Sequence, residues 1–96
     1  RIARGIPPRG LDGFSPALLT ELGARALPRK RRLGIALLRA ALEEPGAPAK
    51  VHFHLGAALV KRRATRREGR RELARYLSLA PEGPHRAEAE RLSRRR

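Results

Sequence analysis

Two stretches of this chain repeat one another, and the repeat restricts the fold more than any other feature. The first stretch carries Leu19-x2-Leu22-Gly23-x2-Ala26 and then Gly34-x3-Leu38. The second carries His52-x2-Leu55-Gly56-x2-Leu59, then Gly69-x3-Leu73, then Pro81. Gly23 to Gly56 is 33 residues and Gly34 to Gly69 is 35. A mean period of 34 belongs to stacked two-element units, none of which buries its apolar face alone. The two offsets differ because the turn inside the first unit is shorter than the turn inside the second.

The elements inside each unit read as helices. Leu18, Leu19, Leu22 and Ala26 recur at helical spacing after Ser15-Pro16, a Ser N-cap with Pro at the first helical position. This predicts a helix over residues 16–27, stopped by Pro28. A second over residues 32–44 turns Leu33, Leu37, Leu38, Ala41 and Leu42 to one face, and Pro45-Gly46-Ala47-Pro48 ends it. A third over residues 48–63 has Val51, Leu55, Ala58 and Leu59 inward. A fourth over residues 66–79 turns Leu73, Tyr76, Leu77 and Ala80 inward and stops at Pro81-Glu82-Gly83-Pro84. A short fifth over residues 85–93 carries Ala89 and Leu92. β-Branched residues are scarce and alternation is missing, so the expected class is all-α. Residues 1–15, broken by Gly5, Pro7, Pro8, Gly10 and Gly13, read as a flexible segment with Ile2, Ile6, Leu11 and Phe14 as weak anchors. Residues 94–96 read as a basic tail.

Over residues 16–93 the chain resembles the tetratricopeptide repeat (TPR) family. The resemblance rests on the period, on the Leu-Gly pairs Leu22-Gly23 and Leu55-Gly56, on Gly34 and Gly69, and on Pro81 eight residues after Leu73. The stretch from Ala74 to Pro81, with Gly83-Pro84 and an Ala/Glu-rich helix behind it, looks like the end of a bacterial repeat array. The resemblance implies an α-solenoid of two TPR-like helix pairs plus a C-terminal capping helix, and a scaffold function in protein binding. It departs from the family at Pro28 and at the large aromatic positions, which hold Leu19, Ala26, His52 and Leu59. Two units are fewer than the three such arrays need for stability. The expectation is therefore further N-terminal repeats, self-association or packing on another domain.

Composition narrows the function. The chain has 96 residues, 23 Lys+Arg against 9 Asp+Glu, and a formal net charge of +14. Leu, Ile, Val and Phe number 22, just above the level at which a highly charged chain stays disordered, so one domain with a thin core is expected. Cysteine is absent, which removes disulfides and thiolate metal sites and leaves the compartment open. No apolar run is long enough to span a bilayer, and no signal-peptide pattern opens the chain. With no Met anywhere, the chain reads as a fragment or trimmed product. Arg outnumbers Lys by 20 to 3, the bias of a GC-rich genome.

No catalytic constellation appears. Asp12 is the only Asp, and Ser15, Ser78 and Ser93 lack a nucleophile-elbow context. No phosphate-binding Gly-rich loop is present. His52 and His54 lie about 200° apart on a helix and cannot easily share a metal ion. The expectation is no enzyme, no cofactor and no metal.

Two surfaces remain as candidates. The family pattern, carried onto the second unit, marks a partner groove at Lys50, Phe53, His54, Ala57, Val60 and Lys61. In the first unit it marks Ala17, Thr20, Glu21, Ala24 and Leu27. Phe53, an aromatic outside the Val51–Leu55–Leu59 stripe, is the sharpest candidate for holding a peptide or helix. The family's carboxylate-clamping pattern, Asn beside Lys or Arg, is met only loosely by Lys50 and His54. The second surface is electrostatic. Arg29, Lys30, Arg31 and Arg32 contribute +4, and residues 61–71 contribute +6 through Lys61, Arg62, Arg63, Arg66, Arg67, Arg70 and Arg71 against Glu68. Both clusters begin in the turn within a helix pair, so stacking would place them on one edge. Such an edge would attract an acidic protein, an anionic membrane surface or, as the alternative function, nucleic acid bound through its backbone without sequence preference. With two Phe, one Tyr and no Trp, base stacking is not expected.

Overall fold

Ser15 Oγ accepts a hydrogen bond from the Leu18 N–H at 3.0 Å, and Pro16 holds the first helical position, so α1 (Pro16–Ala26) starts at a side-chain cap. The computed structural model describes residues 14–94; the expectations for residues 1–13, Arg95 and Arg96 lie outside them. α2 (Arg31–Leu42), α3 (Lys50–Leu59), a 3-10 turn (Arg63–Thr65), α4 (Arg66–Leu79) and α5 (Arg86–Ser93) follow. Among the described residues there is no strand, and no helix is long and apolar enough to cross a membrane.

Two helices end earlier than the periodicity predicts. The Glu43 and Glu44 N–H groups bond to Ala40 and Ala41, three residues back, which tightens the chain after Leu42. Gly46 then turns the backbone with φ at +81°, a conformation that costs glycine little. α3 stops at Leu59 rather than near Arg63. The Leu59 carbonyl accepts from Thr65 Oγ1 at 2.8 Å and the Val60 carbonyl accepts from Arg66 Nε at 3.2 Å. These bonds satisfy two C-terminal carbonyls from outside the helix.

Each helix pair is an antiparallel hairpin, and both close on matching positions. A Cβ built on Gly23 would lie 2.8 Å from Leu38 Cγ and 3.0 Å from the Gly34 carbonyl oxygen. A Cβ on Gly56 would lie 2.8 Å from Leu73 Cγ and 2.9 Å from the Gly69 oxygen. In the other direction Gly34 faces Leu27, and Gly69 faces Val60. The repeat seen in sequence is therefore a repeat of contact: 23, 27, 34 and 38 in the first hairpin, 56, 60, 69 and 73 in the second. First-helix positions are offset by 33 and second-helix positions by 35. The connection in the second hairpin, residues 60–65, is two residues longer than residues 27–30 in the first.

α3 separates two apolar cores. On one side Val51, Leu55 and Leu59 pack with Leu19 of α1 and with Leu37, Leu38 and Ala41 of α2. On the other, Phe53 and Val60 pack with Leu73 and Tyr76 of α4 and with Ala89 and Leu92 of α5. A helix with one neighbour needs one apolar stripe. α3 has neighbours on both flanks, so its buried positions exceed the single stripe.

A cleft between first helices and a basic end

The C-terminal ends of α1 and α3, the residues that follow them and the first residue of α2 line a cleft of about 280 Å³. Its lining is small and apolar at Ala24, Leu27, Pro28, Ala57 and Ala58, and cationic at Arg31 and Lys61, with His54 on one wall. Of the six groove residues marked in the second unit, His54, Ala57 and Lys61 line it. Lys50 sits beyond it on the same helix, with Nζ 3.8 Å from Glu21 Oε1. In the first unit Ala24 and Leu27 line it.

The other marked positions lie elsewhere. Phe53 and Val60 are buried in the second core and offer no surface to a partner. Phe53 stacks on His85 at a centroid distance of 4.2 Å and tilts against Tyr76 at 5.6 Å. An aromatic outside the α2-facing stripe thus serves the contact with α4 and α5. Thr20 is buried, and its hydroxyl donates to the Pro16 carbonyl at 2.7 Å. Ala17 is exposed away from the cleft lining.

His54 is half-buried, edge-on to Phe53 at 5.3 Å and to His85 at 5.5 Å. Burial is the main cause holding its pKa below the ordinary imidazole value; the charges of His85 and Lys50 add to this against the opposing Glu21. His52 turns to another element: its Nδ1 lies 2.7 Å from Glu72 Oε1 on α4, and both side chains are largely buried. The matching positions of the first hairpin are Leu19 and Leu37, both in the core. Sequence reading missed this pair, because its signal lies only in aligning the two units with unequal offsets. Among the described residues no group of three or more His, Cys, Asp or Glu is placed to hold a metal ion.

The two Arg-rich clusters meet at one end of the molecule. Arg31, the first residue of α2, donates from its guanidinium to the Ala58 carbonyl at the end of α3, at 3.0 Å. Burial, and then the like charge of Arg62, lower the Arg31 pKa. Arg66 is tied to the Val60 carbonyl. Glu68 is held by Arg39 through two bonds of 2.7 and 3.3 Å. That hydrogen bonding is the main cause of its lowered carboxyl pKa, with the charges of Arg39 and Arg71 adding to it against burial. Among the described residues no ion pair engages Arg29, Lys30, Arg32, Lys61, Arg62, Arg63 or Arg67. Glu43, Glu44 and Glu82 follow the C-termini of α2 and α4, at the opposite end of both hairpins. Comparison of the chain with protein-family models, with curated proteins and with solved structures finds no match.

Proposed function

We propose that this chain is a non-catalytic protein-interaction module, two TPR-like helix pairs stacked as a short solenoid and capped by α5, that takes an acidic peptide in the cleft between α1 and α3. One observation carries the reading: the cleft joins a small apolar floor, Ala24 and Ala57, to the cationic side chains of Arg31 and Lys61. An apolar floor with a few placed charges is the usual make-up of a recognition site. At about 280 Å³ the cleft suits one or two side chains of an extended peptide rather than a whole helix. The net charge of +14 favours an acidic occupant through long-range attraction.

The test is fluorescence anisotropy with a labelled peptide of alternating Glu and Leu. Ala57→Trp fills the floor and Lys61→Glu reverses the rim. Each variant should weaken binding at least about tenfold, the loss expected for a central contact, while Glu82→Lys, distant from the cleft, should not. Equal binding by all variants would overturn the reading.

A second reading is backbone-directed nucleic-acid binding by the basic end, favoured by the convergence of Arg31 on α3 beside Arg62. With roughly six phosphates engaged on a duplex, log Kobs against log salt should fall with a slope of about −5. Charge reversal at Arg29, Arg32, Arg62 and Arg67 should then abolish binding.

A further inference from the structure

The Ala58 carbonyl, near the end of α3, accepts from the Arg31 guanidinium at 3.0 Å and from the Lys61 backbone N–H at 3.4 Å. That shared acceptor holds Arg31 of α2 beside residues 61 and 62. Arg31 and Lys61 both line the cleft, and Arg62 is near enough for its charge to act on Arg31. Arg31 is half-buried, and its bond to Ala58 uses one of the five N–H donors of a guanidinium. Other cations of these helices have carboxylates beside them: Arg39 holds Glu68, and Lys50 lies against Glu21. Among the described residues no ion pair engages Arg31, Lys61 or Arg62. The fold thus brings like charges together and supplies no acidic side chain to separate them, and a bound anion would relieve that repulsion.

We infer that Arg31, Lys61 and Arg62 form a site for a phosphate monoester, and that the peptide taken by the cleft is a phosphorylated one. This rests on the cleft reading above and names its ligand. A phosphoserine carries more negative charge at neutral pH than a carboxylate and offers three acceptor oxygens. The Arg fork grips such oxygens through two parallel bonds, and clustered Arg is a recurring means of reading phosphorylated peptides. Ala24, Leu27 and Ala57 beside the cations suit the side chains that flank the phosphate in a peptide. Neither Phe nor Tyr lines the cleft, so a nucleic-acid base has no ring there to stack on.

The probes are two labelled peptides of alternating Glu and Leu, identical except that one has its central Glu replaced by phosphoserine, titrated into the full chain at moderate salt. The phosphoserine peptide should bind at least about tenfold tighter, the gain of one further charge-assisted hydrogen bond. Arg31→Lys keeps the charge and loses the fork, and should cut that preference to about threefold or less. Arg62→Gln, at an exposed position that leaves the fold intact, should also cut it, whereas Arg91→Gln on α5 removes the same charge and should not. Circular dichroism checks that each variant is folded. Equal binding of the two peptides would overturn the inference and leave the cleft reading standing; no binding of either would end both. A preference unmoved by Arg31→Lys and Arg62→Gln would place the phosphate elsewhere and overturn it. Two competitors separate the sources of phosphate. Inorganic phosphate that binds as tightly as the phosphopeptide, or a single-stranded oligonucleotide that binds tighter and is weakened by the same variants, would overturn the assignment to a peptide.

Discussion

Gly69→Ala sets two rules against each other, and the structure says which wins. Inside a helix, Gly→Ala ordinarily stabilises by about 1 kcal/mol, because alanine has less backbone entropy to lose. At Gly69 the new Cβ would lie 2.6 Å from the Val60 amide nitrogen, 2.7 Å from Val60 Cγ1 and 2.9 Å from the Gly56 carbonyl oxygen. Ordinary contact is about 3.5–4.0 Å, so the overlap approaches 1 Å. Two of the three neighbours are backbone, and no rotamer change relieves them. α4 must move off α3, opening the contacts of Leu73 and Val60. Overpacking of this kind costs about 1–3 kcal/mol. With backbone obstructing, the upper part of that range applies, and subtracting the propensity gain leaves about 1–2 kcal/mol of destabilisation. In a domain of this size that lowers Tm by about 4–8 °C per kcal/mol. Thermal unfolding followed by circular dichroism reads it. Gly23→Ala should cost less, because its nearest neighbour at 2.8 Å is the Leu38 side chain and its backbone neighbour is at 3.0 Å. A Tm that rises for Gly69→Ala would refute the claim that the hairpins close on these glycines.

Three further outcomes are expected. Glu72→Leu alone strands a largely buried His52 and should cost about 1–3 kcal/mol; the double variant His52→Leu/Glu72→Leu should recover most of it, since Leu19 and Leu37 hold the matching positions, and urea unfolding of the three chains decides. Phe53→Ala should cost about 3–5 kcal/mol by opening the second core, so its effect appears in unfolding curves and not as a selective loss of binding. The His54 pKa is lowered in the folded chain; the unfolded chain therefore takes up a proton first as pH falls below about 6.5. Stability tied to His54 is present above that pH and declines below it. Glu68, also lowered on folding, adds a separate loss only below the ordinary carboxylate range. A pH series of Tm should show the upper phase in the parent chain and lose it in His54→Gln.

The helices were legible because Pro or Pro-Gly breakers separate α1 from α2, α2 from α3 and α4 from α5, and Ser15-Pro16 supplies a cap; only the Arg-rich α3–α4 turn lacks them. The helix ends were less legible. Leu59 ends α3 through bonds from Thr65 and Arg66, whose reach depends on the three-dimensional path of the turn. The cleft was legible at His54, Ala57 and Lys61 only through the groove pattern that the family resemblance carries onto the second unit. It was not legible at Phe53. Whether a residue beside an apolar stripe faces solvent depends on how many neighbours the helix has, and α3 has them on both flanks. Arg31 belongs to both surfaces, lining the cleft and joining the basic end, a dual placement set by its bond to Ala58.

The most direct test of the proposed function is residue-resolved NMR shift mapping of the full chain with the Glu-Leu peptide. The cleft reading predicts saturable shifts at Ala24, Leu27, His54, Ala57 and Lys61, with smaller changes at Arg29 and Arg67. Shifts confined to residues 29–32 and 62–71 that vanish at higher salt, with Ala24 and Ala57 unmoved, would contradict it and leave the basic end as the binding surface.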